Sequence, residues 1–415
     1  MESSKKILIT DLGFWGGHHE TYFMAILSIL RENYIVYACC VDNEKLRSNI
    51  QGNHLEGCHV IDLNLTVLDK LILKSLKGLD RAWNIISKLQ DNPIKFTSLF
   101  HLIATQRLLS NIGKDIPVFF ANTDSAMPAV PKQIARFLMP SQWVGLHVLP
   151  SYHSQVAFGR KKSRVRFYAE KNFALNSCRG VLVLHPLYQR FFQRRLKEIN
   201  CLYLPEIIDI DSSKQDSINR ELIETIQNQS SGKTIISILG NLTRKKNVIL
   251  LIESFLCLDQ SKYFLLILGC LKREQYTEQE LSIIEDYQEK INYQNAYIKT
   301  DYFIKNETEF NELIKLSDIV FLHYQNHPYS SHILIRSMAL RKPVIVNQGC
   351  LMEKIVNQYH WPVATNSNPR EIAAVIESIN HSHQISDHQY RSFLEDHSSK
   401  KAKNKIHQIC QFLEQ

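Results

Sequence analysis

At 415 residues the chain exceeds the roughly 250–300 residues at which a single hydrophobic core stops growing, so two domains are expected. Apolar residues make up 44% and charged residues 22%, which excludes a disordered or fibrous protein. The net charge of +8 fits anionic ligands or an anionic membrane surface, and no recognition motif indicates nucleic acid.

The cysteines and the apolar runs indicate the cellular location of the protein. Nine cysteines are scattered without a CxxC pair or a Cys/His cluster, which predicts reduced thiols and no metal site. The apolar run near the N-terminus is too short for a signal peptide, and no run reaches the ~18 apolar residues that would span a membrane. We therefore expect a cytoplasmic protein.

Short apolar runs alternate with helical patterns in the first half of the chain, and this alternation predicts a parallel, doubly wound sheet. The predicted strands lie at 6–10, 34–41, 59–65, 118–121, 143–148 and 180–184. Between them, Lys70, Lys74, Lys77 and Arg81 recur at helical spacing beside Leu and Ile. That helix either lies on a membrane surface or packs on the sheet with a solvated charged face. The second interpretation is the simpler one.

Polar residues at 206–232 break the pattern and are predicted to form an interdomain connection. They separate a first Rossmann-like domain, 1–205, from a second one, 233–385, in which the alternation of strands and helices resumes. The polar helical tail, 386–415, is expected to pack back on the first domain. The predicted fold class is α/β, with two doubly wound domains facing a central cleft.

Ligands of open parallel sheets bind beyond the carboxyl ends of the strands, so the loops after strands are the informative places. In the loop GFWGGHHE, Gly16 and Gly17 allow close backbone approach to an anion, or simply a tight turn. The loop GNLTRKKN contains Asn241, Arg244 and Lys246. Cations beside a helix N-terminus would suit a diphosphate, although a charge run is often only a solvated loop.

A third loop, HPYSSHILIR, precedes a predicted helix. Ser330 and Ser331 are suited to the N-cap, which would make the backbone amides around His332 and Ile333 available to a phosphate. The same residues also fit a capped helix without a ligand.

Taken in order, these motifs resemble the donor domain of the family-4 retaining glycosyltransferases, which have the GT-B architecture. The resemblance is strongest over 233–380, and Gly16-Gly17 resembles the family's N-terminal glycine loop. The matching features of the second half are Gly240-Leu242-Lys246, Leu268-Gly269, Ser317-Asp318 and Lys342 to Ile345.

The resemblance implies transfer of a sugar from a nucleotide-sugar donor, with Lys246 on the donor diphosphate. Asn241 stands where the family usually has Arg, and Arg244 is a candidate substitute. His147, in WVGLHVLP, resembles the family's catalytic cleft histidine, although a satisfied histidine at a strand end is an equal alternative. Retention of configuration is also implied, with no cofactor or metal beyond the nucleotide-sugar co-substrate. No acidic pair of the DxD type lies in a predicted cleft loop, and the isolated Asp124 fits a cap or turn.

One departure from the family concerns its two glutamates, eight positions apart, which hold sugar hydroxyls and the nucleotide ribose. Here the matching positions are Pro328 and Arg336. Proline offers no side-chain acceptor and Arg only donates hydrogen bonds. Either other groups hold the donor, or transfer activity has been lost. A further hypothesis is that Arg336 meets an extra anionic group of an unusual donor.

The acceptor is not specified by any motif. Two basic stretches, Gly159–Phe167 and Arg190–Lys197, are candidates for peripheral contact with anionic lipid headgroups at the inner membrane face, or for an ordinary solvated surface. Two other functions remain open. One is a nucleotide-sugar epimerase on the same fold, and the other is a non-catalytic GT-B subunit that binds a partner enzyme.

Overall fold

The computed structural model describes residues 5–13, 18–87, 96–124, 126, 130, 132–148, 169–207, 218–290, 295–327, 329–361, 364–365, 367–382 and 385–415. The chain forms two compact units. The first consists of Met1–Ile207 together with Ser398–Gln415, and the second of Ile208–His397.

Within the described residues, the first unit contains a parallel sheet of seven strands in the order β3-β2-β1-β4-β5-β6-β7. The strands are β1 Lys6–Asp11, β2 Ile35–Cys40, β3 Cys58–Val60, β4 Val118–Phe120, β5 Trp143–His147, β6 Cys178–Val183 and β7 Cys201–Tyr203. The helices between them are α1 His18–Leu30, α2 Asn43–Gly52, α3 Val67–Ser87, α4 Thr97–Ile112, α5 Lys132–Leu138 and α6 Pro186–Arg195.

The described part of the second unit has a parallel sheet of six strands in the order β10-β9-β8-β11-β12-β13. The strands are β8 Thr234–Leu242, β9 Tyr263–Leu271, β10 Ala296–Lys299, β11 Ile319–Leu322, β12 Val344–Asn347 and β13 Ala364–Thr365. The helices are α7 Arg220–Gln229, α8 Val248–Leu256, α9 Glu278–Lys290, α10 Glu307–Leu316, α11 His332–Ala339, α12 Leu351–Gln358, α13 Pro369–Ser382 and α14 Asp387–Asp396. A last helix, α15 Ser399–Gln411, belongs to the first unit.

Burial explains why the central strands read as continuous apolar runs in the sequence. Helices cover both faces of such a sheet, so β1 and β9 are buried over nearly their whole length. Polar caps mark where helices begin: the side chain of Asn306 accepts from Glu309 N at 2.8 Å, and that of Asp42 accepts from Lys45 N at 3.0 Å. These features confirm the predicted α/β class with two doubly wound sheets.

Three elements differ from the sequence-based expectations. β7 was not expected, because three residues are too short for a recognisable alternation. Helix α7 lies inside the predicted connection 206–232 but belongs to the second unit, where Leu222 and Ile226 are buried. The predicted tail is divided: α14 belongs to the second unit, and α15 adds Ile406 and Ile409 to the core of the first.

Strand β8 is longer than the apolar run that predicted it. Gly240, Asn241 and Leu242, expected in the following loop, continue the parallel pairing with β9. Gly240 has φ +85°, and a Cβ at the facing Gly269 would lie 1.8 Å from the Gly240 carbonyl oxygen. Two glycines are therefore required where the strands approach, and the loop itself begins at Thr243.

Each sheet changes winding direction at one position, which is where ligands of such folds bind. In the first unit this switch point lies between β1 and β4, and in the second between β8 and β11. Among the helices described, none combines the length and the apolar character needed to cross a membrane.

Candidate functional site

Lys246 lies at the switch point of the second unit. It ends a single 3-10 turn, Arg244–Lys246, that follows β8 directly. Asn247 then adopts a left-handed conformation, with φ 59°, and α8 begins at Val248. This reversal turns the Lys246 side chain back over the end of β8, where Nζ donates to the carbonyl oxygen of Leu239 at 2.6 Å.

The Lys246 ammonium group is buried: the residue is only 7% exposed. No carboxylate among the described residues forms an ion pair with it, and its Nζ lies 5.8 Å from the centre of the Tyr324 ring. Burial, with a smaller contribution from neighbouring Lys245, lowers the pKa of Lys246 to about 7. An anion bound here would supply the missing counter-charge.

Loops from two strands are joined around this lysine. The side-chain amide of Asn247 donates to the carbonyl oxygen of His323, just after β11, at 2.9 Å. Gln325 N donates to the carbonyl oxygen of Lys245 at 2.7 Å. The ring of Tyr324 lies 5.2 Å from that of His327. The β8 and β11 loops therefore form one surface.

Helix α11 begins at His332, beside this surface. Ser331 occupies the N-cap position, but its side chain makes no capping hydrogen bond, contrary to the predicted side-chain cap. The preceding residue, Ser330, accepts at its carbonyl oxygen from His327 Nε2 at 3.2 Å. His332 is buried and Ile333 is partly buried. The first turn of α11 thus has backbone amides that no Ser331 side chain caps.

Arg336 has its partners within the second unit. Its guanidinium is 3% exposed and forms an ion pair with the Glu307 carboxylate at the start of α10. It also donates to Asn311 Oδ1 at 3.2 Å and lies 6.0 Å from the Phe310 ring centre. The chain itself therefore supplies an anion to Arg336, which leaves the hypothesis of an extra anionic group on the donor without structural support.

The ion pair between Arg336 and Glu307 yields a stability prediction. Glu307→Ala removes the carboxylate from a buried guanidinium, and we expect it to lower the free energy of unfolding by about 3 kcal/mol. Adding Arg336→Met to this variant should restore part of the loss, because the unpaired charge is removed as well. Urea unfolding of the two single variants and the double variant measures this coupling. Strictly additive losses would contradict it.

The other predicted residues of the β8 loop lie towards β9. Asn241 is exposed and pairs with Cys270 within the sheet. Arg244 Nε bonds Glu280 Oε1 at 2.8 Å, near the start of α9. The structure therefore brings Lys246 together with the β11 loop and α11, while Arg244 has a surface carboxylate as its partner.

A polar cluster occupies the switch point of the first unit. Asp11, at the end of β1, has a buried carboxylate whose Oδ2 lies 3.2 Å from His19 Nδ1. Asn122, after β4, places its amide nitrogen 2.9 Å from the same ring nitrogen. The Asn122 side-chain oxygen accepts from Asp124 N at 2.9 Å. The sequence signal for this cluster was an aspartate at a strand end before a glycine loop.

His147 lies at the end of β5, where only 6% of its side chain is exposed. Its Nδ1 is 2.7 Å from Asp124 Oδ1 and its Nε2 is 3.7 Å from Glu170 Oε1. Burial alone would lower the pKa of His147, but Asp124 and Glu170 outweigh it and raise the pKa to about 9. Asp124 is thus an ion-pair partner rather than the isolated cap or turn residue expected from the sequence. The catalytic role of His147 remains a prediction.

Several predicted residues lie outside the described part of the chain: Gly16, Gly17, Pro328 and the stretch Gly159–Phe167. The stretch Arg190–Lys197 is described and has exposed Arg190, Arg194, Arg195 and Lys197. Its two phenylalanines differ in burial. Phe192 is buried against Phe173, whereas the ring centre of Phe191 lies 5.3 Å from the guanidinium carbon of Arg195. Phe192 therefore contributes to the core and not to the basic surface.

The part of the chain that contains this site matches a known protein family. Residues 219–393, which span most of the second unit and include Lys246 and α11, match the glycosyl transferases group 1 family. The chain is a glycosyltransferase. The resemblance to glycosyltransferases that the sequence motifs predicted is thereby confirmed.

Solved structures of glycosyltransferases share the whole fold, at low sequence identity. Alr3699/HepE from Anabaena, solved in complex with UDP-glucose, has 12% identity and a TM-score of 0.63 over 97% of this chain and 98% of its own. WaaG, a glycosyltransferase involved in lipopolysaccharide biosynthesis, has 13% identity and a TM-score of 0.55 over 97% and 95%. The trehalose-6-phosphate synthase OtsA has 9% identity and a TM-score of 0.64 over 99% of both chains.

These likenesses confirm the GT-B fold of this glycosyltransferase. Among curated proteins, none matches the sequence significantly. Sequence reasoning missed Glu307 and Glu170, the carboxylate partners of Arg336 and His147. Neither glutamate stands in a motif, and each meets its partner only through the packing of separate elements.

Proposed function

We propose that this glycosyltransferase takes a sugar from a nucleotide-sugar donor whose diphosphate binds Lys246. The supporting observation is the buried ammonium at the β8/β11 switch point, which lacks a carboxylate partner among the described residues. A buried charge without a counter-ion is unfavourable for folding, so its presence at a ligand-binding edge favours a functional role. A diphosphate supplies the counter-charge.

The chemistry follows from where charge develops. As the bond between sugar and diphosphate breaks, the sugar becomes oxocarbenium-like and the diphosphate gains negative charge. The Lys246 ammonium and the uncapped first turn of α11 provide donors that are already oriented, and one such donor contributes about 3 kcal/mol to transition-state stabilisation. We propose that these donors act without a metal and that the anomeric configuration is retained, as the family-4 resemblance implies.

Glu307 is our candidate for a carboxylate that accepts from donor hydroxyls. The family's glutamate positions are Pro328 and Arg336 here, and the buried Arg336 orients the Glu307 carboxylate, which is 42% exposed. Phe310, on the same helix as Glu307, lies close to the proposed diphosphate site. Gly240 is next to both groups, since a Cβ at Gly240 would lie 3.3 Å from the Phe310 ring and 3.6 Å from Lys246 Nζ. In this chain an arginine occupies one of the family's glutamate positions, and its partner Glu307 supplies a carboxylate that can accept hydrogen bonds from the donor sugar.

The first unit is proposed to bind the acceptor, beside Asp11, His19 and Asn122. His19 is 28% exposed, and the buried Asp11 carboxylate and the Asn122 amide fix its ring. We propose that His147 is a positioning residue, because both its ring nitrogens face carboxylates and its ion pair orients Asp124 beside Asn122.

Thermal unfolding in the presence of nucleotides and nucleotide sugars tests the donor site. UDP-glucose is the first probe, since a protein of the same fold binds it. A donor at ~100 times its Kd should stabilise the fold by ~2.7 kcal/mol. Lys246→Ala should abolish the shift, and Lys262→Ala, which changes an exposed lysine just before β9, should keep it. If no compound shifted the wild-type protein, the non-catalytic alternative would replace the proposal.

The pKa of Lys246 predicts a pH dependence of donor affinity. The free protein loses the ammonium proton as the pH rises through about 7, whereas the bound diphosphate favours the charged form. The affinity for UDP-glucose should therefore be constant below pH 7 and fall by up to about tenfold per pH unit above it. Calorimetric titration from pH 6 to pH 9, at roughly unit steps, measures this slope. A slope that persisted in Lys246→Met would assign the titration to another group.

A further inference from the structure

Helix α3 exposes an unusual number of apolar side chains. Half of the large apolar residues that are exposed in the described part of the chain lie on this one helix: Val67, Leu68, Leu71, Ile72 and Leu79. Leu68 is 65% exposed and Leu71 is 56% exposed. A helix that packed its apolar face on the sheet, as the simpler sequence interpretation had it, would bury these residues. Here the apolar face points outwards.

The two acidic residues of α3 point the other way. Asp69 is buried, pairs with Arg107 of α4, and accepts from the Thr66 hydroxyl at 2.7 Å. Asp80 accepts from the backbone amide of Phe96 and from the Thr97 hydroxyl, at the start of α4. The carboxylates thus attach α3 to α4 and are directed away from its exposed surface.

The basic residues of α3 remain at the surface. Lys70, Lys74, Lys77 and Arg81 are all exposed and recur at spacings of four, three and four residues. At about 100° per residue they form one stripe, and Leu68, Leu71, Ile72 and Leu79 form the adjacent stripe. Over residues 67–82, whose side chains are described, the outer surface of α3 is therefore apolar and cationic without a carboxylate.

We propose that α3 docks this glycosyltransferase on an anionic lipid surface. A bilayer offers both partners that the helix needs: acyl chains for the leucine stripe and negatively charged headgroups for the basic stripe beside it. An apolar patch by itself would equally fit a protein partner. The uniform positive charge beside the patch, produced by turning both aspartates inwards, favours the anionic lipid.

Docking would also define the acceptor class, and this consequence rests on the proposed transfer activity. A first unit held against the membrane meets acceptors carried by lipids. The docking itself does not depend on Lys246, so a vesicle-binding experiment separates the two proposals: a chain without transfer activity can still dock, and a chain that does not dock can still bind UDP-glucose.

The experiment measures co-sedimentation of the full chain with vesicles of phosphatidylcholine alone or mixed with phosphatidylglycerol. We expect at least about tenfold tighter binding to the anionic vesicles, weakening as salt is raised. Leu71→Ser/Ile72→Ser and, separately, Lys70→Gln/Lys74→Gln/Lys77→Gln should each reduce this binding about tenfold or more. All five side chains are exposed, so the fold should persist, which thermal unfolding checks.

Matched control variants change the same residue types elsewhere. Phe303→Ser replaces another exposed apolar residue, and Lys262→Gln/Lys299→Gln/Lys315→Gln removes the same charge from the second unit. Both controls should bind anionic vesicles like the wild-type chain. Equal binding by wild-type and α3 variants would overturn the proposal. Ultracentrifugation provides a second test. If the α3 variants lost self-association but bound vesicles like the wild-type chain, the patch would be a protein interface and the proposal would also be overturned.

Discussion

Lys246→Ala is expected to lower kcat/KM for glycosyl transfer by about 10²–10³-fold, because it removes a preorganised cation from the departing diphosphate. The variant should not be less stable than the wild-type chain. Its ammonium is buried without a carboxylate partner among the described residues, so a neutral side chain relieves a desolvation cost. Loss of activity together with unchanged or raised stability is the pattern of a functional residue that strains its fold.

Steady-state kinetics with UDP-glucose as the first donor, combined with urea unfolding, measures both quantities. Lys262→Ala is the matched control, because Lys262 is an exposed lysine just before β9 of the same unit and forms an ion pair only with Asp259 among the described residues. It should leave both quantities unchanged. A Lys246→Ala enzyme with wild-type kcat/KM would remove the lysine from the mechanism, and one that was unstable but active would make it structural.

His147→Gln is expected to destabilise the chain by about 3–5 kcal/mol at pH 7. The substitution removes the cation that lies between the buried carboxylates of Asp124 and Glu170. Acidification should recover part of the loss, since protonated carboxyl groups no longer need a counter-charge. Urea unfolding at neutral and mildly acidic pH measures both effects. His59→Gln, which changes an exposed histidine, is the control and should behave like the wild-type chain.

The raised pKa of His147 also sets the pH profile of the wild-type chain. A histidine with a pKa of 6.5 when unfolded and about 9 when folded stabilises the native state fully below pH 6.5, and this stabilisation is lost as the pH rises towards 9. At about 1.4 kcal/mol per pH unit, the loss amounts to about 3 kcal/mol. A His147→Gln chain should lack this decline, and an unchanged decline would assign it to other groups.

Alternation of apolar runs made most of the fold predictable. The strands of both sheets are buried on two faces, so their sequences are distinctive, and in the first unit the predicted runs at 118–121 and 143–148 match β4 and β5 within one residue. Short or interrupted elements were harder to predict from the sequence. β7 has three residues, and the last part of β8 contains a glycine pair that resembles a loop in sequence.

The candidate site was only partly predictable, for a related reason. A cation after a strand is visible in the sequence, and Lys246 was expected at the donor diphosphate. Its burial is not visible, because it depends on the left-handed Asn247 and on the contact with the β11 loop. The partner of Arg336 is 29 residues earlier in the chain and on another helix. Such pairs are set by packing and carry no local sequence signal.

The orientation of α3 shows the same limit. The spacing of its lysines and leucines identified an amphipathic helix but left two opposite orientations open. The two aspartates decide between them, since Asp69 and Asp80 bond to residues of α4 or its N-terminus. The sequence contained these acids, but their partners were not recognisable before the fold was known.

We propose above that this glycosyltransferase activates a nucleotide sugar at Lys246. Release of nucleoside diphosphate from a panel of nucleotide sugars, beginning with UDP-glucose, tests it most directly, with proton NMR reporting the anomeric configuration of the product. We expect at least one donor to be turned over, and Lys246→Ala to release nucleoside diphosphate about 10²–10³-fold more slowly. A folded wild-type chain that turned over no donor faster than Lys246→Ala would contradict it.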